Sequence, residues 1–213
     1  MLKIAHRGHS DKHGDNNMQS FIDAAQCGFN MIELDIQLSK SGVVIVYHDT
    51  YLDGKDIQEY SLGDLMKKGI ITLEFVLHKI GPTEIPLFLD IKGDVQVVHE
   101  MVRLLKQYVK PHRMRKIYVS GFNRCFVDLL KPYNLPINVG FTTENNFTID
   151  QLKFLMQGMQ FVCLHWSVLD KKSVDYFNQN NILVFVYTCK DDYILKYIKK
   201  YNVDGIVSNY YFN

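Results

Sequence analysis

Cysteine, net charge and long apolar runs are all scarce in this chain, and each scarcity removes a class of function. Its four cysteines, Cys27, Cys125, Cys163 and Cys189, are scattered through 213 residues with no C-x-x-C pair. Among apolar neighbours that spacing speaks against a disulfide framework or a cysteine-built zinc site, and predicts reduced core thiols in a reducing, cytoplasmic setting. Against 24 basic side chains stand 23 acidic ones, a net charge of +1, and no dense Lys/Arg run marks a local positive field. Nucleic acid is therefore not an expected partner. No stretch approaches the roughly 18 uninterrupted apolar residues of a membrane span, and the opening MLKIAHRG has no basic region leading into a long apolar segment. P-loop, G-x-S-x-G and H-E-x-x-H patterns are missing as well.

What is present is enough material for one sizeable core. At 47% hydrophobic and 22% charged, the length suits a single domain, residues 1–213, better than two. Strand-like and helix-like segments alternate along it. Strands are expected at 2–5, 31–38, 85–91, 116–120, 137–141, 161–165, 182–188 and 204–208, and a turn at Lys40-Ser41-Gly42 leads into a hairpin partner at 43–47. Helices are expected at 18–28, 95–109, 124–131, 149–156, 171–180 and 192–201, with a loop and a short helical stretch between 48 and 85 and the last helix missing or vestigial. Short links between such units imply parallel strands joined by right-handed crossovers. Eight strands favour an α/β fold of the closed (β/α)8 TIM-barrel type, at the short end of its size range, with a short cap insertion after strand 2. An open doubly wound sheet would want a glycine-rich turn after the first strand, and His6-Arg7-Gly8-His9 is not one.

The chemistry-bearing residues gather at strand ends. His6-Arg7-Gly8 follows the first strand, Glu33-Leu34-Asp35 lies within the second, and His48-Asp49 ends the hairpin partner. Side chains two apart in a strand share a side, so Glu33 and Asp35 converge while Ile32, Leu34 and Ile36 face the other way. Two acids on one side of an otherwise apolar strand need a cation, because a buried unpaired carboxylate is costly. In a TIM barrel the reactive groups sit at the carboxyl ends of the strands, which is where His6, Arg7, Asp35, His48, Asp90 and Lys92 fall. Two histidines, a guanidinium and paired carboxylates suit a metal-assisted attack on a phosphodiester.

In order, His6-Arg7-Gly8, Asp15-Asn16-Asn17, Ser20-Phe21, Gly28, Glu33-Leu34-Asp35, Ser41-Gly42-Val43 and His48-Asp49 resemble the pattern of the glycerophosphodiester phosphodiesterase family. The series continues with Ile71-Thr72-Leu73-Glu74, Leu89-Asp90-Ile91-Lys92, Ser120-Gly121-Phe122 and Val203-Asp204-Gly205-Ile206, so it spans nearly the whole chain. Single pieces such as His-Asp mean little; the ordered set is specific. The resemblance implies a barrel that hydrolyses glycerophosphodiesters to glycerol 3-phosphate and an alcohol with one divalent metal and a histidine pair. It implies Glu33, Asp35 and Asp90 as metal ligands, His6 as base, His48 as acid, and Arg7 with Lys92 on the phosphate. The implied mechanism is attack of the substrate's 2-hydroxyl on phosphorus, followed by opening of the cyclic phosphate by water.

Physical chemistry agrees with that division of labour. Phosphodiester hydrolysis needs roughly 10 to 17 powers of ten of acceleration, and one placed acid or base supplies about 10²–10⁴. The remainder must come from charge stabilisation and alignment. Three carboxylates, one divalent ion, Arg7 and Lys92 leave a single net positive charge, matched to an anionic diester. Carboxylate oxygens are hard donors, so Mg²⁺ or Ca²⁺ is the expected ion, with Mn²⁺ also acceptable. Tyr187 and Trp166 are expected to line the substrate pocket and Asp15 to hold Arg7; His9, His13, His78, His99, His112 and His165 read as structural or solvent-exposed, His9 being the one whose closeness to Arg7 gives it the alternative of the metal shell or the substrate mouth.

The chain departs from the family pattern where Pro-Glu-Asn-Thr becomes Gly14-Asp15-Asn16-Asn17, where Asp90 replaces a longer Glu, and where Ser208-Asn209-Tyr210-Tyr211 replaces a Thr-Asp ending with its proline. A short segment between His48 and Ile85 leaves room for bulkier lipid diesters, hence a lysophospholipase D-like alternative acting on lysolipids. A non-catalytic descendant that binds a phosphate ligand is the alternative from another class; retention of both the histidine pair and the acids speaks against it. A sugar-phosphate isomerase would want a glycine-rich anion loop near Ser208-Asn209, and none is there. Oligomeric state is not legible.

Overall fold

Eight apolar stretches form parallel strands whose hydrogen-bond ladders return to the first. In a computed structural model, which describes residues 1–212, they are β1 (Leu2–Ala5), β2 (Met31–Leu38), β3 (Leu87–Ile91), β4 (Ile117–Gly121), β5 (Asn138–Thr143), β6 (Phe161–His165), β7 (Leu183–Cys189) and β8 (Gly205–Ser208). Each pairs in parallel with the next, and β8 pairs with β1 through Leu2↔Gly205 to Ala5↔Ser208, so the sheet closes into a TIM barrel. The helices packed outside it are α1 (Met18–Cys27), α2 (Leu73–Ile80), α3 (Val97–Tyr108), α4 (Phe126–Leu130), α5 (Ile149–Leu155), α6 (Lys171–Gln179) and α7 (Asp192–Ile198), and a further short helix, Leu62–Lys67, lies in the excursion after β2. Among the described residues no helix follows β8.

Strand alternation builds the lumen in two layers. Below lie Ile4, Met31, Phe88, Phe161, Phe185 and Val207, a buried apolar cluster in which the Phe88 and Phe161 rings meet edge to face at 5.3 Å. Gly140 on β5 makes space for the Phe161 ring, since a Cβ there would lie 2.5 Å from it. Two residues further up β2, β3 and β6 stand Glu33, Asp90 and Cys163, and Ser120 on β4 and Thr142 on β5 join them. The apolar layer plugs the barrel, so chemistry is confined to the carboxyl-end face. The opposite face of each strand packs against the helices in the main core, including Ile32, Leu34, Leu89, Val119, Val162 and Val184.

After β2 the chain makes the short excursion expected there. Val44–Val46 runs antiparallel to β2, Ile71–Thr72 pairs with it, and Ile45, Ile57, Leu65 and Ile70 form a small core beneath. This excursion carries His48 to the rim. Three details differ from the sequence reading. A single helical turn at Ser10–His13 was not anticipated, having no apolar period to announce it. α4 is five residues long, because Pro132 diverts the chain into a 3-10 turn at Lys131–Tyr133. Cys163 and Cys189 are buried as expected, but Cys125 is exposed at the outer start of α4 and Cys27 is only partly buried. Among the described residues no helix is long and apolar enough to cross a membrane.

Candidate active site

Eight of the nine residues singled out in the sequence line one cavity of about 100 Å³ at the carboxyl ends of the strands: His6, Arg7, Glu33, Asp35, His48, Asp90, Lys92 and Tyr187. Trp166 lies outside it, in an adjoining groove of about 830 Å³ that Tyr187, His48 and Lys92 also border.

The floor is acidic and buried. Glu33, Asp35 and Asp90 are 4%, 1% and 6% exposed, and one carboxylate oxygen from each lies within 4.8 Å of the others. Register explains the convergence, because Asp35 pairs directly with Asp90 across β2 and β3. Burial and the neighbouring charges of Asp35 and Asp90 push the Glu33 carboxyl well above its ordinary range. Burial also raises Asp90, Lys92 notwithstanding. For Asp35 burial is outweighed by Lys92 and Arg7, which hold its carboxyl low.

Two cations face these acids. Lys92 Nζ stands 2.6 Å from Asp90 and 3.3 Å from Asp35; burial opposes its charge, and the two carboxylates more than compensate. Arg7 donates through Nη1 to Asp15 at 2.7 Å and sets Nε 3.1 Å from Asp35, although that nitrogen lacks hydrogen-bond geometry to any group among the described residues. The Arg7 backbone takes a left-handed conformation, φ 55°, and its amide donates to Glu33 at 2.8 Å. Gly8 follows at φ 82°, where a Cβ would lie 2.3 Å from Ser20 Oγ, so only glycine passes this reversal.

The histidines differ in setting. His6 bonds through Nδ1 to Asn209 Oδ1 at 2.6 Å, which fixes the proton on Nδ1 and leaves the Nε2 lone pair free. Burial, then the Arg7 charge, lowers its pKa to about 4. His48, 40% exposed, pairs through Nδ1 with Asp49 at 2.7 Å. His9 takes no part: its ring turns away to Asp23, at 2.5 Å, and against Phe29.

Several residues that support the site were not singled out from the sequence. Asn16 donates to Asp35 at 2.8 Å and accepts from the Asp35 amide. Ser120 and Thr142 donate to the other oxygen of Asp90. Phe122 places its ring 5.1 Å from Lys92 Nζ. Asn16 and Phe122 sit within motifs that already resembled the family; Thr142 and Asn209 carried no such signal.

Three buried carboxylates against two cations are short of positive charge, and all the donors are hard oxygens. The residues present therefore fit a divalent ion among Glu33, Asp35 and Asp90.

Comparison with known proteins points the same way. A sequence profile described as the Glycerophosphoryl diester phosphodiesterase family matches residues 6–211. A Bacillus subtilis (strain 168) protein, provisionally named a glycerophosphodiester phosphodiesterase, is 26% identical over 234 residues, covering 99% of this chain and 95% of its own. A glycerophosphodiester phosphodiesterase of Caldanaerobacter subterraneus subsp. tengcongensis is 22% identical over 231 residues, 98% and 93% of the two chains. Among solved structures, an Oleispira antarctica phosphodiesterase in complex with the product sn-glycerol-3-phosphate superposes with a TM-score of 0.87 at 24% identity, covering 99% of this chain and 93% of that one. At that identity the likeness establishes the shared fold.

Proposed function

Because the chain belongs to the glycerophosphoryl diester phosphodiesterase family and is therefore a phosphoric diester hydrolase, we propose that it cleaves glycerophosphodiesters to glycerol 3-phosphate and an alcohol, assisted by one divalent ion. The observation that carries this reading is the convergence of three buried carboxylates on a cavity that also holds His6, Arg7, His48 and Lys92. The glycerol 3-phosphate bound in the Oleispira antarctica structure supports that choice of product.

Glu33, Asp35 and Asp90 would hold the ion, Mg²⁺ or Ca²⁺ in preference to a thiophilic metal, with Mn²⁺ tolerated. When bound it supplies charge neutralisation at the phosphoryl oxygens. Arg7 and Lys92 bind the remaining phosphate charge, each oriented by a carboxylate. His6 is the base: neutral at pH 7 with its Nε2 lone pair free, it takes the proton of the glycerol 2-hydroxyl as that oxygen attacks phosphorus. His48 is the acid, oriented by Asp49, and protonates the alkoxide released when the phosphorus–oxygen bond to the alcohol breaks. Water then opens the cyclic phosphate with the two roles exchanged. Tyr187 borders both cavity and groove and would cover the glycerol, while Trp166 would meet the departing alcohol. The breadth of that groove favours a second reading in which a lysolipid is the better diester.

The test is an assay of metal-stripped protein on glycerophosphocholine, glycerophosphoethanolamine and a lysolipid, with Mg²⁺, Ca²⁺ or Mn²⁺ restored and glycerol 3-phosphate detected beside the alcohol. Metal-dependent release that falls by about 10²–10⁴ in His6→Ala, and is lost in Glu33→Ala, is the expected result. No release with any ion, from folded protein, overturns the reading.

A further inference from the structure

We propose that His9, His13, Asp23 and Cys27 form a second metal site, outside the barrel, that takes Zn²⁺ and clamps the loop after β1 to α1. The reversal at Gly8 sends Arg7 inward and His9 outward. Four residues on, at the end of the Ser10–His13 turn, His13 joins it beside α1. Asp23 and Cys27 are also four apart, on one face of α1, so two pairs of donors meet across a single interface.

Two of the separations are those a tetrahedral ion imposes. With metal–ligand bonds of about 2.0–2.3 Å, nitrogen and oxygen ligands stand about 3.3 Å apart and nitrogen and sulfur about 3.6 Å. His13 Nε2 lies 3.3 Å from Asp23 Oδ1, and His9 Nδ1 lies 3.6 Å from Cys27 Sγ. The donor atoms of His9, Asp23 and Cys27 all fall within 4.8 Å of one another. To complete the tetrahedron the 2.5 Å hydrogen bond between His9 Nδ1 and Asp23 Oδ2 opens by about 0.8 Å on the same bond lengths, and His13, which stands outside that group of three, swings inward from Asp23 Oδ1.

A second observation points to a ligand. His13 Nε2 is buried and has no hydrogen-bond partner, although a carboxylate oxygen faces it. An imidazole nitrogen that faces a carboxylate oxygen without hydrogen-bonding to it is poorly satisfied by protein alone and well satisfied by a shared cation. Lys12 Nζ now neutralises Asp23 from 2.8 Å, but that side chain is 57% exposed and can withdraw to solvent. The Phe29 ring, edge-on to His9 at 5.4 Å, gives one wall of the site apolar character.

Two imidazoles, a carboxylate and a thiolate are the donors of a borderline-soft tetrahedral ion, whereas the barrel site offers oxygen alone. The two sites therefore select different metals. What the clamp fixes is the segment running from His6 and Arg7 to Asp15 and Asn16, all of which face the barrel site. Its role is structural.

Cobalt(II) distinguishes the sites, because tetrahedral thiolate coordination gives intense visible bands and a near-ultraviolet sulfur-to-cobalt charge-transfer band, whereas all-oxygen octahedral coordination gives neither. Metal-stripped Glu33→Ala protein, titrated with Co²⁺, should develop both bands with one equivalent, and Zn²⁺ should bleach them. Cys27→Ser should lose the charge-transfer band and Asp23→Asn should weaken binding, each with unchanged far-ultraviolet circular dichroism. In the same Glu33→Ala background, Zn²⁺ at a hundredfold excess over its Kd should raise Tm by roughly 5–10 °C, and not in the Cys27→Ser variant. Absence of the bands, or a charge-transfer band that survives Cys27→Ser, would overturn the proposal.

Discussion

At the scale of single residues the sharpest expectations concern His6 and Glu33, whose protonation is displaced in opposite directions. His6 titrates near 4 in the folded chain against 6.5 when exposed, so its neutral form is the folded one. Between those values the unfolded chain takes up a proton that the folded chain refuses. Stability is therefore complete above pH 6.5 and declines as pH falls toward 4, by at most about 3 kcal/mol. As base, His6 stays competent down to the same region, so with the metal site kept saturated its contribution to the acid limb of kcat/KM falls near pH 4. Asn209→Asp puts an anion on Nδ1 and should move that limb up by roughly 1–3 units, while Asn209→Leu frees the ring and should lower kcat about 10–100-fold without that upward displacement. A pH–rate profile decides both.

Glu33 has the reverse sign: its folded pKa lies above the ordinary 4.5, so in metal-free protein stability is full below that value and falls as pH rises. Glu33→Gln removes this slope while an amide oxygen can still accept from Arg7 N, so Tm in chelator at pH 8 should rise by roughly 2–5 °C and Mg²⁺ should no longer raise it. Calorimetry with and without Mg²⁺ reads both effects. Seven of the eight residues that line the cavity could be singled out because each lies in or just after a strand, inside a recognisable motif; Tyr187 was singled out by its strand-end position alone. Thr142 and Asn209 were not, since a hydroxyl and an amide acquire a role only through the barrel register that brings them to Asp90 and His6.

At the scale of elements, the loop after β1 carries more of the site than any other. Arg7 and Gly8 occupy successive left-handed conformations, and Ser20 closes the reversal by donating to the Arg7 carbonyl at 3.1 Å. Gly8→Ala must both hold φ 82° and displace the start of α1, at a cost of about 2–5 kcal/mol. Chemical denaturation should show that loss, with kcat falling further than stability alone explains because His6 and Arg7 shift together. Barrel strands could be read from sequence to within two residues because each is a buried apolar run ended by polar residues. The Ser10–His13 turn and the two-residue pairing of Tyr51–Leu52 with Lys55–Asp56 were invisible, being held by tertiary contacts and turn chemistry without a hydrophobic period of their own.

For the whole molecule, the decisive property is that the barrel is blocked from below. The ring of Phe88, Phe161 and Phe185 closes the lumen beneath the carboxylates, so a diester can approach from one face only. Its phosphate must reach the small cavity among Glu33, Asp35, Asp90, Arg7 and Lys92, and its alcohol must then lie outward along the groove bordered by Phe122, Trp166 and Tyr187. Binding of the alcohol is thereby separated from bond breaking. Contacts made equally in ground and transition states set KM, and contacts made only in the transition state set kcat. Trp166→Ala should raise KM for a lysolipid about three- to tenfold, an aromatic contact of about 0.5–1.5 kcal/mol, leave kcat within twofold, and barely affect glycerophosphoethanolamine. His6→Ala should lower kcat on every substrate alike. Steady-state kinetics on the two substrates separates these outcomes, and a Trp166→Ala loss falling on kcat for both would mean that the alcohol leaves by a different wall of the barrel.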